Sequence, residues 1–283
     1  PNGEQIDTVV LVSANGSAAS TDDDVATYSD NISIDSHAFD NTNGSNGFVE
    51  SNYDVTFATG DLIIDQRQVE LIAGRQEKFY GDALDLDDTN FTVVDQGDAL
   101  DSALPNGEEV TNVTIGSTNG IATSTTAATS LYSNEINIES PVVGTAGTGD
   151  GFLESNYDIT YVSGDLKVNP RPITVTPTQQ EKIYGNTLTL DQTAFTVTDL
   201  DNDALLPNGE SIDTVSVISR GAHDASTTSS AVTYADDLEA TSVATSSAGF
   251  DLNNYTIDFS NLSDLVINRR AVTLTALQQE KDY

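Results

Sequence analysis

The sequence has no cysteine, no methionine and no tryptophan among its 283 residues. Without cysteine there is no disulfide framework and no thiolate metal or redox site. Small secreted animal domains usually depend on disulfides, so the absence points to bacterial secretion or to a cytosolic origin. Without an initiator methionine, Pro1 is not read as a native start, and any signal peptide is expected outside this stretch. Basic residues are scarce, with 10 Lys and Arg against 45 Asp and Glu, for a formal net charge of −35. Nucleic acid, whose phosphates need a basic stripe, is excluded on that balance, and anionic membrane surfaces are disfavoured. No apolar run approaches the roughly 20 residues of a transmembrane helix, so direct membrane insertion is not expected. No segment carries a capped 3.6-residue stripe. The two histidines, His37 and His223, stand at non-equivalent positions with no triad-like spacing around either. Catalysis is not expected.

What is present is a repeat. Pro-Asn-Gly-Glu begins at Pro1, Pro105 and Pro207, at offsets of 104 and 102, and Tyr28, Tyr132 and Tyr234 keep the same offsets. Ser51–Asp54 (SNYD) returns at Ser155–Asp158 and as NNYT at Asn253–Thr256. Gly60–Leu62 (GDL) returns at Gly164–Leu166 and weakens to SDL at Ser263–Leu265. Gln76–Gly81 (QEKFYG) returns as Gln180–Gly185 (QEKIYG) and as Gln279–Tyr283 (QEKDY). Length differences between copies fall in Gly/Ser/Asp-rich stretches, where loops absorb them cheaply. The organisation expected is the C-terminal portion of a repeat over 1–66, complete repeats over 67–170 and 171–268, and the first strand of a further repeat over 269–283.

Within a repeat, Arg67–Ile72, Phe91–Val94, Glu109–Ile115, Glu135–Glu139, Tyr157–Val162 and Leu166–Val168 alternate or are β-branched, with Asn-Gly and Gly-Asp turns between them. The fold expected is all-β: tandem antiparallel β-sandwich domains, Ig-like or related, each of about 100 residues, in an extended array. Junctions are short. Pro170 and Pro172 flank Arg171, and two fixed φ angles with two missing donors are expected to stiffen the crossing and bar strand pairing there.

The combination NYDVTFATGDLII, NYDITYVSGDLKV, the Arg-x-[Val/Ile] that follows and the EKxYG beyond it resembles the MBG/YDG-type ("mostly β, glycine-rich") tandem repeats of large bacterial surface adhesins. The resemblance covers essentially the whole chain. It implies an extracellular, cell-surface stalk or spacer and carries no catalytic residue to transfer.

The recurring positions are read as structural. Tyr53, Tyr157 and Tyr255 are expected to pack their rings on the core while the hydroxyl ties a loop. Lys78 and Lys182 recur within QEK; an isopeptide bond to Asn is one reading, and a surface charge pair with the adjacent Glu77 or Glu181 is the other. Gly81 and Gly185 close the same motif. Asp199, Asp201 and Asp203 alternate along one loop, a spacing that suits calcium; Ala204 and Pro207 exclude an EF-hand, leaving a looser calcium site or a solvated acidic loop. Calcium is the one candidate ion, and no other cofactor is expected. The function expected is a non-catalytic structural stalk, partnered by neighbouring repeats of the same chain. Direct binding by the repeats (glycan, calcium, or self-association into fibres by strand exchange) is the alternative.

Overall fold

The computed structural model describes residues 6–13, 23–39, 50–96, 104–127, 131–143, 152–199, 205–281 and 283. The chain is mostly β. Its first strands are β1 (Ile6–Ser13), β2 (Ala26–Phe39) and β3 (Gly60–Ile64). Next come β4 (Arg67–Ala73), β5 (Gln76–Phe79), β6 (Phe91–Asp95) and β7 (Val110–Gly116), then a single helical turn, α1 (Thr118–Ile121). They are followed by β8 (Tyr132–Val143), β9 (Tyr157–Val162) and β10 (Gly164–Asn169). The last are β11 (Arg171–Pro177), β12 (Gln180–Ile183), β13 (Phe195–Asp199), β14 (Ile212–Ser219), β15 (Thr233–Ser246), β16 (Tyr255–Asp258) and β17 (Leu262–Asn268).

The sheets repeat. Orders are β6-β4-β9 and β5-β10-β8-β7, then β13-β11-β16 and β12-β17-β15-β14, with β1-β2-β3 corresponding to β7-β8-β10. Even the irregularities recur. The ladder slips between Val10 and Leu11 in β1, between Thr114 and Ile115 in β7, and between Ser216 and Val217 in β14. β2 carries a residue with positive φ at Asp30, β8 at Asn134 and β15 at Asp236, each near 55°. Asp and Asn tolerate that conformation better than other side-chain-bearing residues. Each backbone N–H there donates to the aspartate of a GDL-type motif, Asp61 at 3.0 Å, Asp165 at 3.2 Å and Asp264 at 3.1 Å. The GDL aspartate thus has a mechanical reason to recur: it holds a bulge in the strand beside it.

Strand direction differs from the antiparallel expectation. β4 runs parallel to β9, β5 to β10, β11 to β16 and β12 to β17. Alternation reports which face a residue takes and is blind to direction; parallel neighbours need only a long crossover, and the intervening strands supply it. The prolines do not bar pairing either. Pro172 lies inside β11 and stands opposite Thr256 of β16. It sits one residue before the β13 ladder opens at Ile173, at the strand start, where a missing donor costs least.

The chain divides into two compact units. One comprises residues 1–74, 87–116 and 136–164, with Val69, Leu71, Val113 and Ile136 in its buried interior. The other comprises residues 75–86, 117–135 and 165–283. Its β11 packs against β15 and β17, burying Val175, Leu238 and Leu265. The division is out of step with the sequence period: residues 75–86 and 117–135 belong to one repeat, in whose sheet β5 pairs with β10, and are grouped with the residues of the next.

Candidate functional site

Two recurrent polar constructions occupy the interior. The first centres on the QEK lysine. β5 and β12 alternate so that Gln76 and Lys78, and Gln180 and Lys182, point inward and are buried. Burying an ammonium demands acceptors, and backbone carbonyls provide them. Lys78 Nζ donates to the carbonyls of Asn119 (2.6 Å), Ala122 (2.6 Å), Gly120 (2.9 Å) and Asp82 (3.2 Å). Lys182 Nζ donates to those of His223, Asp224 (3.0 Å) and Ser226 (2.6 Å). The loop is gripped from its other side by a carboxylate. Glu135 accepts from Asn119 N at 2.6 Å and from Ser117, and Asp237 accepts from Gly221 N at 2.8 Å and from Ser219. Burial lowers the pKa of Lys78, opposed by the charges of Asp82 and Glu135. Burial of Glu135 is outweighed by its hydrogen bonds from Asn119 and Ser117, which hold its carboxyl below the usual range. The lysines are therefore not surface charge pairs. What recurs is a lysine ammonium held by a ring of backbone carbonyls.

The second construction ties one sequence repeat to the next within a single compact unit. Arg171 opens β11 with its side chain 7 % exposed. Its guanidinium donates to Asp199 through Nε (3.1 Å) and Nη2 (2.8 Å), and to Asp82 through Nη1 (2.6 Å). Asp199 is 3 % exposed and Asp82 43 %. Desolvation opposes the charge on Arg171, but the hydrogen bonds to Asp199 and Asp82 prevail and raise its pKa. Arg67 and Asp95 form the equivalent pair in the preceding repeat, with Nη2 to Oδ2 at 2.6 Å. Beside Arg171, Glu210 of the Pro-Asn-Gly-Glu motif accepts from the hydroxyls of Tyr80 and Tyr255. The two rings meet edge-on with centroids 5.5 Å apart. Asn208 Nδ2 donates to the Tyr80 hydroxyl at 3.1 Å, and Asn254 Oδ1 accepts from Ala127 N at 2.9 Å.

The preceding copy shows the same Tyr–Glu bond. Tyr157 donates to Glu108, and its ring stacks on Phe152 at 4.9 Å as Tyr255 stacks on Phe250 at 4.8 Å. Burial, then the hydrogen bond to the adjacent glutamate, raises the pKa of both tyrosines. Tyr157 and Tyr255 thus pack inward with the hydroxyl tied. Tyr53 is half-buried, its backbone N–H bonded to Glu50 O at 2.9 Å. Gly81 and Gly185 adopt φ of 90° and 85°; a methyl group at Gly81 would overlap the ring of Pro207.

Of the acidic run considered for calcium, Asp199 is engaged with Arg171, and Asp201 and Asp203 lie outside the described residues. No group of three or more His, Asp or Glu side chains is placed to hold a metal ion among the described residues, nor is any helix there long and apolar enough to cross a membrane. His223 stacks on Tyr234 and bonds Ser229. Sequence reasoning passed over Tyr80, Arg171 and Glu210 as a set; their recurrence in QEKxYG, at the junction and in Pro-Asn-Gly-Glu was the available signal. Protein-family models, curated proteins and solved structures were each compared with the chain, and none matches it.

Proposed function

We propose that the chain is a stretch of non-catalytic stalk or spacer repeats from a secreted bacterial cell-surface adhesin, each period folding as two facing sheets of mixed strand direction. The observation that carries the reading is the Tyr80–Glu210–Tyr255–Arg171 cluster, in which the side chains that recur most faithfully serve to bind consecutive repeats together. A catalytic or ligand-binding repeat would repeat an exposed group; here the repeated tyrosine, lysine, glutamate and glycine positions are spent on interior bonds. The parallel pairs β4/β9 and β11/β16 suit tension, because a pull along paired strands loads all their ladder bonds at once. The net charge of −35 opposes side-by-side aggregation of neighbouring molecules. The resemblance to MBG/YDG-type adhesin repeats points the same way.

Small-angle scattering and single-molecule pulling test this together. The reading expects an elongated particle and discrete unfolding events that recur once per period. A compact sphere, or extension without force peaks, would overturn it.

A further inference from the structure

We propose that Tyr80 and Tyr255 are a modification site, at which one-electron oxidation joins the two rings into an intramolecular dityrosine that ties consecutive sequence repeats together. The proposal is independent of the stalk reading and rests on how the two phenols are held. Both rings belong to the same compact unit and both are buried, Tyr80 at 3 % and Tyr255 at 6 % exposure. They meet edge-on with centroids 5.5 Å apart. Phe250 stacks on Tyr255 at 4.8 Å, and Asn208 Nδ2 donates to the Tyr80 hydroxyl at 3.1 Å, so neither ring is free to swing away. The two hydroxyls converge on the two oxygens of one carboxylate, Tyr80 on Oε1 and Tyr255 on Oε2 of Glu210. That convergence brings together the hydroxyl-bearing ends of the rings, whose ortho carbons carry the unpaired spin of a phenoxyl radical.

The chemistry balances with two equivalents of a one-electron oxidant, such as a peroxide-activated haem or a photo-oxidised metal complex. Each phenol gives its electron to the oxidant and its proton to Glu210. Burial, and then the hydrogen bond to Glu210, raises the pKa of both phenols, so neither ionises beforehand and the electron leaves together with the proton. Glu210 is half-buried and lines a groove between β13 and β14, through which water takes up the first proton before the second arrives. The two ortho carbons then form one C–C bond. The hydrogen each of them carried moves to its own ring oxygen, and both rings are phenols again. The product has lost two hydrogen atoms and gained none. Composition favours this outcome. Cysteine and methionine, which take up oxidising equivalents readily, are absent from the 283 residues, as is tryptophan, so the oxidation settles on tyrosine. Burial then shields the radicals from other molecules and leaves each ring the other as its partner.

Photo-oxidation of the dilute chain with a ruthenium trisbipyridyl complex and persulfate is the test, read by dityrosine fluorescence, intact mass and peptide mapping. The monomer should lose two hydrogen atoms, and its digest should contain Tyr80 joined to Tyr255. Tyr80→Phe and Tyr255→Phe should each abolish that peptide, whereas Tyr184→Phe, which removes an exposed tyrosine, should leave it unchanged. Glu210→Gln keeps an acceptor oxygen but removes the base, and should lower the yield severalfold at a fixed oxidant dose with the far-ultraviolet circular dichroism unchanged. The cross-linked chain should also unfold at a higher urea concentration than the untreated one, because the new bond restricts the unfolded state. Mapping of the unaltered chain decides the matter even where a variant folds poorly. Tyr80 and Tyr255 recovered hydroxylated but not joined overturn the proposal. So does a cross-link found only between molecules or between exposed tyrosines such as Tyr161 and Tyr184, or a buried pair left untouched when those exposed tyrosines are consumed.

Discussion

Replacing Arg171 with alanine removes the centre of the junction, and the cost can be worked from its surroundings. Its partner Asp199 is buried and accepts two of its hydrogen bonds. Stripped of the guanidinium, that carboxylate stays buried with its principal counter-charge gone, a situation that costs about 3–5 kcal/mol. Asp82 is exposed, so its share of the loss is screened and amounts to roughly 0–1 kcal/mol. Urea unfolding followed by far-ultraviolet circular dichroism is the assay, since the chain has no tryptophan to report. At an m-value of about 2 kcal/mol/M, the transition that carries this unit should move down by about 2 M. Asp82→Asn should shift it by less than about 0.5 M on the same arithmetic. Arg171→Met combined with Asp199→Leu should recover most of the loss, because an apolar pair needs no desolvation. If Arg171→Ala costs less than about 1 kcal/mol, as an exposed pair would, or if the double variant is worse than the single, the account of a buried, mutually dependent pair is wrong.

Alkali should destabilise the fold through Tyr157 and Tyr255. Their folded pKa values lie above the unfolded one, so the stability they contribute is complete below about pH 10 and drains away as pH rises toward the folded values. Urea midpoints measured across alkaline pH should fall accordingly, and Tyr157→Phe with Tyr255→Phe should flatten that fall. Lys78→Met removes the ammonium that four carbonyls share, three of which keep a second donor, and should cost about 1–3 kcal/mol, with amide exchange around Asn119–Ala122 accelerating first. Gly81→Ala combines a left-handed backbone with the Pro207 ring and should cost about 2–4 kcal/mol. Gly185→Ala faces only the Arg270 guanidinium and should cost about 1 kcal/mol, a difference thermal melts can resolve. Asn134→Val should destabilise by about 1–2 kcal/mol, since a β-branched residue resists the bulge that Asp165 secures, whereas Asn134→Gly should be nearly silent in the same melts.

The strands were legible wherever apolar residues alternate, as in Arg67–Ala73 and Phe91–Asp95. β5 and β12 were not, because their inward positions are glutamine and lysine, which read as surface until the carbonyls around Nζ are seen. Parallel direction was illegible for a related reason: β4 and β9 are some ninety positions apart, and nothing in either segment encodes which way its neighbour runs. The tyrosine reading came through for Tyr157 and Tyr255, whose aromatic bulk and recurrence suggest an inward ring with an anchored hydroxyl. The acceptor did not, since Glu108 and Glu210 lie 49 and 45 positions away and belong to a motif that looks like a turn. The charge-pair reading of Lys78 failed because adjacency to Glu77 along the chain says nothing about a strand, where successive side chains diverge.

The offset between compact unit and sequence period lays these repeats like bricks in running bond. A cut at the boundary between residues 170 and 171 does not fall on a mortar line: it parts Tyr80 from Glu210 and Asp82 from Arg171. Gain or loss of chain by one whole period hands every severed side chain an equivalent mate, and the few residues by which copies differ are taken up in loops. Tandem duplication is therefore an editing operation this architecture absorbs without a wound.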